Sequence, residues 1–126
     1  MIALPLLLLG IDVPDPAPAL EAVKACDRVE MRSLIRGEPH RRTKFAAAAY
    51  AEQRAIAQER STVLSGPSST TPSGQVTTGT ALAQLDGRQK QLDDARATEK
   101  SWRDLFDEVR ADYLANCTTG KRNADD

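Results

Sequence analysis

The segment SGPSSTTPSGQVTTG, residues 65–79, decides how this chain folds. It contains two prolines, three glycines and many hydroxyl side chains, a composition that disfavours both a helix and a packed core. The residues on either side of it have helical patterns, and no alternating runs typical of strands occur. The sequence therefore predicts a flexible linker at 65–79 between two helical arms.

The arm before the linker carries an apolar stripe with helical spacing. At about 100° per residue, seven side chains fall within about 40° of one line. They are Leu20, Met31, Leu34, Phe45, Ala49, Ile56 and Val63. Pro39 lacks an amide hydrogen and, with Gly37, disturbs the helix without changing the phase of the stripe. We expect a kink, or a break and restart, near Gly37–Pro39, with helices at about 20–36 and 39–64 nearly in line.

The arm after the linker is predicted to be one helix from Thr80 to Cys117, capped by Thr78 or Thr80. Two heptad rows run along it, as in a coiled coil. The first row is Leu85, Leu92, Glu99, Phe106 and Tyr113, and the second is Arg88, Ala95, Trp102, Val109 and Asn116. Residues 118–126 contain a helix stop at Gly120 and are expected to fray.

The two cysteines, Cys26 and Cys117, lie at nearly equal distances from the middle of the linker. A hairpin that turns there brings them side by side, and an even pair of cysteines in an exported chain is typical of a disulfide. The alternative is two unrelated buried thiols. The predicted fold class is therefore all-α, a long antiparallel helical hairpin closed by a Cys26–Cys117 disulfide, with residues 20–117 as its single domain.

The predicted disulfide sets a pairing register in which residue i faces roughly residue 143 − i. In this register Glu99, the unusual charge in the heptad seam, lies opposite Lys44. Trp102 and Phe106 arrive near Arg41 and Gly37, where their bulk is expected to fill the gap left by the missing side chain.

Basic residues recur every four positions in the first arm, at Lys24, Arg28, Arg32 and Arg36. Acidic residues recur at the same interval in the second arm, at Asp104, Glu108 and Asp112. On helices such residues form rows, and we expect the two rows to lie side by side, where their ion pairs would disfavour wrong registers. The rival interpretation is that the basic row is a surface for a partner.

The densest basic segment is RGEPHRRTK, residues 36–44. It extends the basic row to give six candidate partner-binding residues: Arg28, Arg32, Arg36, Arg41, Arg42 and Lys44. Such a cluster can contact phosphates or acidic lipid headgroups. Apart from Phe45, no aromatic residue that could stack on bases lies near this segment, so nucleic acid binding is not favoured. The simpler interpretation is that residues 36–44 form a solvated bend.

The first residues have the pattern of an export signal. An apolar run from Ile2 to Leu9 is followed by turn formers and by Ala17-Pro18-Ala19, which predicts cleavage before Leu20. No Lys or Arg precedes the run, and the alternative is a short apolar N-terminal arm within residues 1–19 that packs on the domain. The run is too short to span a membrane. The export pattern therefore predicts a periplasmic or secreted protein.

Motifs for chemistry are not found in the sequence. The lone histidine, His40, and two paired cysteines do not make a zinc site, and no phosphate-binding loop or catalytic triad can be assembled. No catalytic residue, metal or cofactor is therefore predicted. The expected function is that of a non-catalytic interaction, chaperone-like or inhibitor protein with an unidentified protein partner or a second copy of itself. The alternative is a cytoplasmic adaptor that binds nucleic acid or an anionic surface through residues 28–44.

Overall fold

The computed structural model describes residues 13–66 and 72–118, and every regular element in these two ranges is an α-helix. Helix α1 spans Ala17–Lys24, helix α2 spans Arg28–Ser65 and helix α3 spans Pro72–Asn116. The apolar run, the centre of the predicted linker and most of the predicted frayed tail lie outside the described residues.

The predicted disulfide is confirmed. Cys26 and Cys117 are joined by a bond with an Sγ–Sγ distance of 2.04 Å and a Cα–Cα distance of 5.4 Å. The all-helical class and the partner of each cysteine were therefore both predicted correctly from spacing alone.

Helix α2 continues through Gly37 and Pro39, so of the two alternatives predicted here, a kink or a break and restart, the break does not occur. Pro39 removes one backbone donor, a loss that costs about 3 kcal/mol in a helix interior. The buried side chains on either side, Met31 and Phe45, stabilise the same helix by packing, which outweighs that cost.

The chain breaks instead at Cys26, whose φ of 51° is in the left-handed region. Helix α1 ends there in a Schellman motif: the Cys26 N–H donates to the Val23 carbonyl at 3.2 Å, and the Asp27 N–H donates to the Ala22 carbonyl at 2.9 Å. Asp27 then begins α2, since its carboxylate accepts the Glu30 N–H at 3.1 Å.

The break changes which side of α1 is buried. Leu20, predicted to continue the apolar stripe, is 43% exposed. Ala19, Ala22 and Val23 are buried in its place, and Val13 packs against the same core. The bond predicted to be cleaved, between Ala19 and Leu20, lies inside α1. Ala19 is only 1% exposed.

Helix α3 begins at Pro72, eight residues before the predicted start at Thr80. Residues 72–79 of the predicted linker are therefore helical, as is Ser65 at the end of α2, and Thr78 and Thr80 are not caps. Proline fits the first position of a helix because no partner exists there for an N–H, and this is why a proline-containing segment can start one.

The protein divides into two compact units, each with its own core. The disulfide unit comprises the described residues of 12–44 and 97–126, and the Ile56 unit comprises those of 45–96. The core of the disulfide unit contains Ala19, Ala22, Val23, Met31, Trp102, Phe106, Val109, Tyr113 and Cys117. The core of the Ile56 unit contains Phe45, Ala49, Ile56, Leu85 and Leu92.

Within each unit, α2 and α3 run antiparallel. In the Ile56 unit, Gln53 is hydrogen-bonded to Gln89 at 2.7 Å, and Arg60 pairs with Asp86 at 2.8 Å. In the disulfide unit, Trp102 donates to Glu38. Each of these partners lies within about one helical turn of the position that the cysteine register predicts.

The first heptad row is confirmed as the buried seam of α3. All five of its members are buried: Leu85, Leu92, Glu99, Phe106 and Tyr113. Trp102 and Val109 of the second row are buried as well. The period of 3.5 residues in the sequence therefore identifies the packed face of this helix.

Candidate binding face on helix α2

The six predicted partner-binding residues occupy two different environments on α2. Arg41 and Arg42 are half-buried and form ion pairs with α3 within the disulfide unit. The other four, Arg28, Arg32, Arg36 and Lys44, are exposed. The candidate patch thus separates into an internal cluster and an outward row.

Glu38 is the centre of the internal cluster and is 5% exposed. Its carboxylate accepts hydrogen bonds from Arg41 Nε at 2.7 Å, Arg42 Nε at 2.6 Å and Trp102 Nε1 at 3.0 Å. Burial by itself would raise the pKa of Glu38, but hydrogen bonds from these three groups and the charge of Arg41 lower it from 4.5 to about 2. The carboxylate is therefore ionised over the whole physiological range.

Glu99 is the second buried acid of the cluster. It accepts two hydrogen bonds from Arg41, at 2.8 and 2.9 Å, and one from Arg103 at 2.7 Å. The register places Glu99 opposite Lys44 to within about one turn, and the residue that pairs with Glu99 is Arg41, one turn earlier on α2. Burial lowers the pKa of Arg41, but the hydrogen bonds that Arg41 donates to Glu38 and Glu99 dominate and raise it.

The arginines of the cluster also cover aromatic rings. The guanidinium carbon of Arg41 lies 5.6 Å from the centre of the Trp102 ring, and that of Arg42 lies 5.7 Å from the centre of the Phe106 ring. These aromatic rings were expected to fill space beside Gly37. A Cβ built on Gly37 would meet nothing within 4 Å, so Gly37 lies against open space and that expectation is wrong.

Sequence reasoning missed Glu38, Glu52 and Arg88 as structural residues. Glu52 is buried in the Ile56 unit and pairs with Arg88 at 2.6 Å, and Arg88 also pairs with Glu59. The signal for Glu38 was present in its spacing, since it precedes Arg41 and Arg42 by three and four residues. An acid three or four residues before two adjacent arginines can form ion pairs with them. Such arginines are then not available as a basic surface for a partner.

The outward row is a continuous line of basic residues because α2 does not break at Pro39. Its members recur every four positions and are all exposed: Arg28, Arg32, Arg36, His40 and Lys44. We call this row the basic face. Lys24 belongs to α1 and is not part of it.

The basic face makes no ion pair with α3 within residues 13–66 and 72–118, so the predicted match to the acidic row is wrong. Asp104 pairs with Lys100 at 2.8 Å instead. The physical reason is rotation: Met31 and Glu38 point to α3 and are buried, so the row at positions 28, 32 and 36 is turned outward.

A shallow groove runs beside the basic face. The next row of α2 residues, Val29, Ser33 and Gly37, has small side chains, and these line a depression together with Arg32 and Arg36. Val29 is 82% exposed in this depression. Of the two acids on the row that adjoins Ser33 and Gly37, Glu38 is buried and paired with Arg41 and Arg42, whereas Glu30 is exposed beside Ser33.

No group of three or more His, Cys, Asp or Glu side chains that could hold a metal ion occurs in 13–66 and 72–118. None of the helices described is both long enough and apolar enough to cross a membrane.

Comparison with known proteins found no match: no family model fits the chain, and no curated protein and no solved structure is significantly similar to it.

Proposed function

We propose that this protein is a small, non-catalytic helical binding protein of the periplasm or the extracellular space, and that it binds an anionic partner through the basic face. One observation carries the proposal: Arg28, Arg32 and Arg36 are exposed on one side of α2 without an ion pair among the described residues. Like charges four apart on a helix repel each other. An anionic partner would relieve that repulsion, and this supports a binding role.

The compartment is proposed from the disulfide. Structural disulfides persist in oxidising environments and are rare in reducing ones, and Cys26–Cys117 joins buried parts of one core. A helical protein without catalytic groups can act there by contact alone, as a chaperone-like or inhibitory module does.

The binding surface is tested by reversing two charges of the basic face, in the variant Arg32→Glu/Arg36→Glu. The matched control is Arg54→Glu/Arg110→Glu, because both of those arginines are exposed and form no ion pair in the described part of the chain. Binding to anionic probes is measured by titration calorimetry in low salt. We expect the first variant to bind on the order of tenfold or more weakly, while the control keeps most of its affinity.

The alternative of a cytoplasmic adaptor for nucleic acid or an anionic surface rests on the same basic face. It is separated from the proposal by mass spectrometry of protein taken from its native host. Loss of two hydrogens at Cys26 and Cys117 supports export and oxidation. Free thiols in the native protein would favour the adaptor and contradict the proposed compartment.

A further inference from the structure

Resting on the proposed function, we propose that the anionic partner is an acidic α-helix of another protein. This helix lays one row of its side chains in the groove formed by Val29, Ser33 and Gly37. Its carboxylates then lie against Arg32 and Arg36.

The shape of the surface carries the first step. Rows of side chains four residues apart form ridges on a helix, and one helix packs on another by placing such a ridge between two ridges of its partner. On α2 the basic face is a high ridge of long side chains. The row beside it is low, because it consists of Val29, Ser33 and a glycine with open space around its Cα. This alternation of a high and a low row is the shape into which a second helix fits.

The direction of the charges carries the second step. Residues four apart rise about 6 Å along the helix and turn by about 40° around it. The basic face therefore winds around α2, and a flat anionic surface contacts only a few of its cations at once. A helix that packs ridge into groove runs parallel to such a row. Carboxylates at every fourth position of that helix would meet successive arginines.

The apolar content of the surface carries the third step. Val29 is exposed at one end of the groove, near Arg32 and about two turns from Arg36 and Gly37, so the groove offers one apolar contact beside a cation. This suits an apolar side chain of a partner helix placed beside an acidic one. Insertion into a bilayer favours several large apolar or aromatic side chains, and the described residues of this face include none beyond Val29.

The test uses four probes with the full-length, oxidised protein. The first probe is a synthetic helix of about 21 residues with Glu at every fourth position and Leu on the adjacent row. The second is a peptide of the same composition in which two central prolines disrupt the helix. The third is vesicles of phosphatidylcholine and phosphatidylglycerol, and the fourth is soluble polyphosphate.

The diagnostic variant is Gly37→Leu, which fills the groove without changing any charge. A Cβ at this position meets nothing within 4 Å, and leucine favours a helix more than glycine does, so the variant should be at least as stable as the parent. The matched control is Gly87→Leu, because Gly87 also lies inside a helix with open space around it and belongs to the Ile56 unit. Far-UV circular dichroism and thermal melting confirm that both variants are folded.

We expect the acidic helix to bind the parent at least tenfold more tightly than the proline-disrupted peptide. Gly37→Leu should weaken that binding about tenfold while Gly87→Leu leaves it unchanged, because only the former occupies the groove. This pattern supports the acidic helix as the partner. Equal binding of both peptides, or no effect of Gly37→Leu, overturns it.

The outcomes also separate this inference from the proposed function. If vesicles or polyphosphate bind, and that binding depends on Arg32 and Arg36 but not on Gly37, the acidic helix is overturned and the anion-binding role stands. If none of the four probes binds the parent in low salt, both proposals are overturned.

Discussion

Glu38 shows how one buried carboxylate organises the residues around it. It accepts hydrogen bonds from two arginines of its own helix and from Trp102 of α3, so it orients both sides of the helix pair in the disulfide unit. Removing one partner of a buried ion pair leaves the others uncompensated. A residue that reads in the sequence as a lone acid in a basic segment is therefore a structural centre.

We predict that Glu38→Gln lowers the free energy of unfolding by about 2 kcal/mol at neutral pH, because it leaves Arg41 and Arg42 with a neutral partner. Urea unfolding followed by circular dichroism measures this loss. The control is Glu108→Gln, since Glu108 is exposed and forms no ion pair in the described residues. A loss equal to that of the control would contradict the central role of Glu38.

The same carboxylate predicts a pH dependence. The pKa of Glu38 is lowered in the folded protein to about 2 from 4.5, so its contribution to stability is present above the unfolded value and is lost as the pH falls from 4.5 to about 2. We expect the difference in unfolding free energy between the parent and Glu38→Gln to shrink across this window. A difference that stays constant between these pH values would disprove the linkage.

Cys26 combines a disulfide with a backbone conformation that favours glycine. Non-glycine residues with a positive φ cost roughly 1 kcal/mol, and at the end of α1 the disulfide offsets that cost. The preference of position 26 for glycine should therefore affect stability measurably only when the disulfide is absent.

We predict that, in a Cys117→Ala background, Cys26→Gly is more stable than Cys26→Ala by about 1 kcal/mol. Glycine adopts the left-handed conformation without strain and keeps the Schellman hydrogen bonds to Ala22 and Val23. Thermal melting of the two double variants compares them directly. If the alanine variant is equally stable, the turn at Cys26 does not persist without the disulfide.

At the scale of the elements, α2 is long because its packing outweighs a local defect. Pro39 leaves the Ile35 carbonyl without the N–H that residue 39 would otherwise donate, and Thr43 uses its hydroxyl to bond the Pro39 carbonyl at 3.0 Å. The continuous helix is also what makes the basic face continuous. A break at this point would separate Arg36 from His40 and Lys44.

We predict that Pro39→Ala raises the free energy of unfolding by about 2 kcal/mol, because it restores a donor for the Ile35 carbonyl and removes the clash with it. Pro39 is exposed, so no core packing is lost. Equilibrium urea denaturation gives the value, with Ser33→Ala at a neighbouring exposed site of the same helix as the control. A destabilised Pro39→Ala variant would mean that proline is needed for the local shape of α2.

For the whole molecule, two separate cores share two long helices. The disulfide lies inside only one of them, in the cluster in which Cys117 is completely buried and against which Val13 packs. In the loop-entropy model a bond that closes a loop of about 90 residues contributes on the order of 4 kcal/mol. That is a large share of the stability of a domain of this size.

We predict that replacing both cysteines by serine reduces hydrogen-exchange protection more in the disulfide unit than in the Ile56 unit. The bond restricts opening of the helical ends that it joins, whereas Ile56 and Leu92 remain packed in a core that contains no cysteine. Exchange measured by mass spectrometry on peptides from 28–44 and 45–65 compares the two units within one helix. Equal loss of protection in both peptides would show that the units open together.

Several features were predictable because they depend on local spacing. The heptad rows identified the buried seam of α3, and the positions of Cys26 and Cys117 about the middle of the predicted linker predicted their bond. The register derived from that bond placed Gln89 opposite Gln53 within one residue. These predictions rest on helical periods and chain symmetry, which are properties of the sequence.

Other features were not predictable because they depend on competition between parts of the chain. The helix break lies at Cys26 and not at Pro39, since packing of Met31 and Phe45 keeps α2 intact and the Schellman turn ends α1. Helix propensity alone predicts that Pro39 breaks the helix more strongly than Cys26 does. It does not include the free energy gained by burying Met31 and Phe45.

The sequence by itself determined that this chain is helical, which faces of α3 are buried and which cysteines pair, because periodicity and symmetry specify these without reference to neighbours. Only the tertiary structure decided which basic residues remain outside. Arg41 and Arg42 are neutralised by Glu38, Glu99 and Asp107, whereas Arg32 and Arg36 are exposed and form no ion pair within the described residues. The physical reason is that the rotation of α2 about its axis is set by packing in the core, and that rotation sorts the cations into an internal cluster and the basic face.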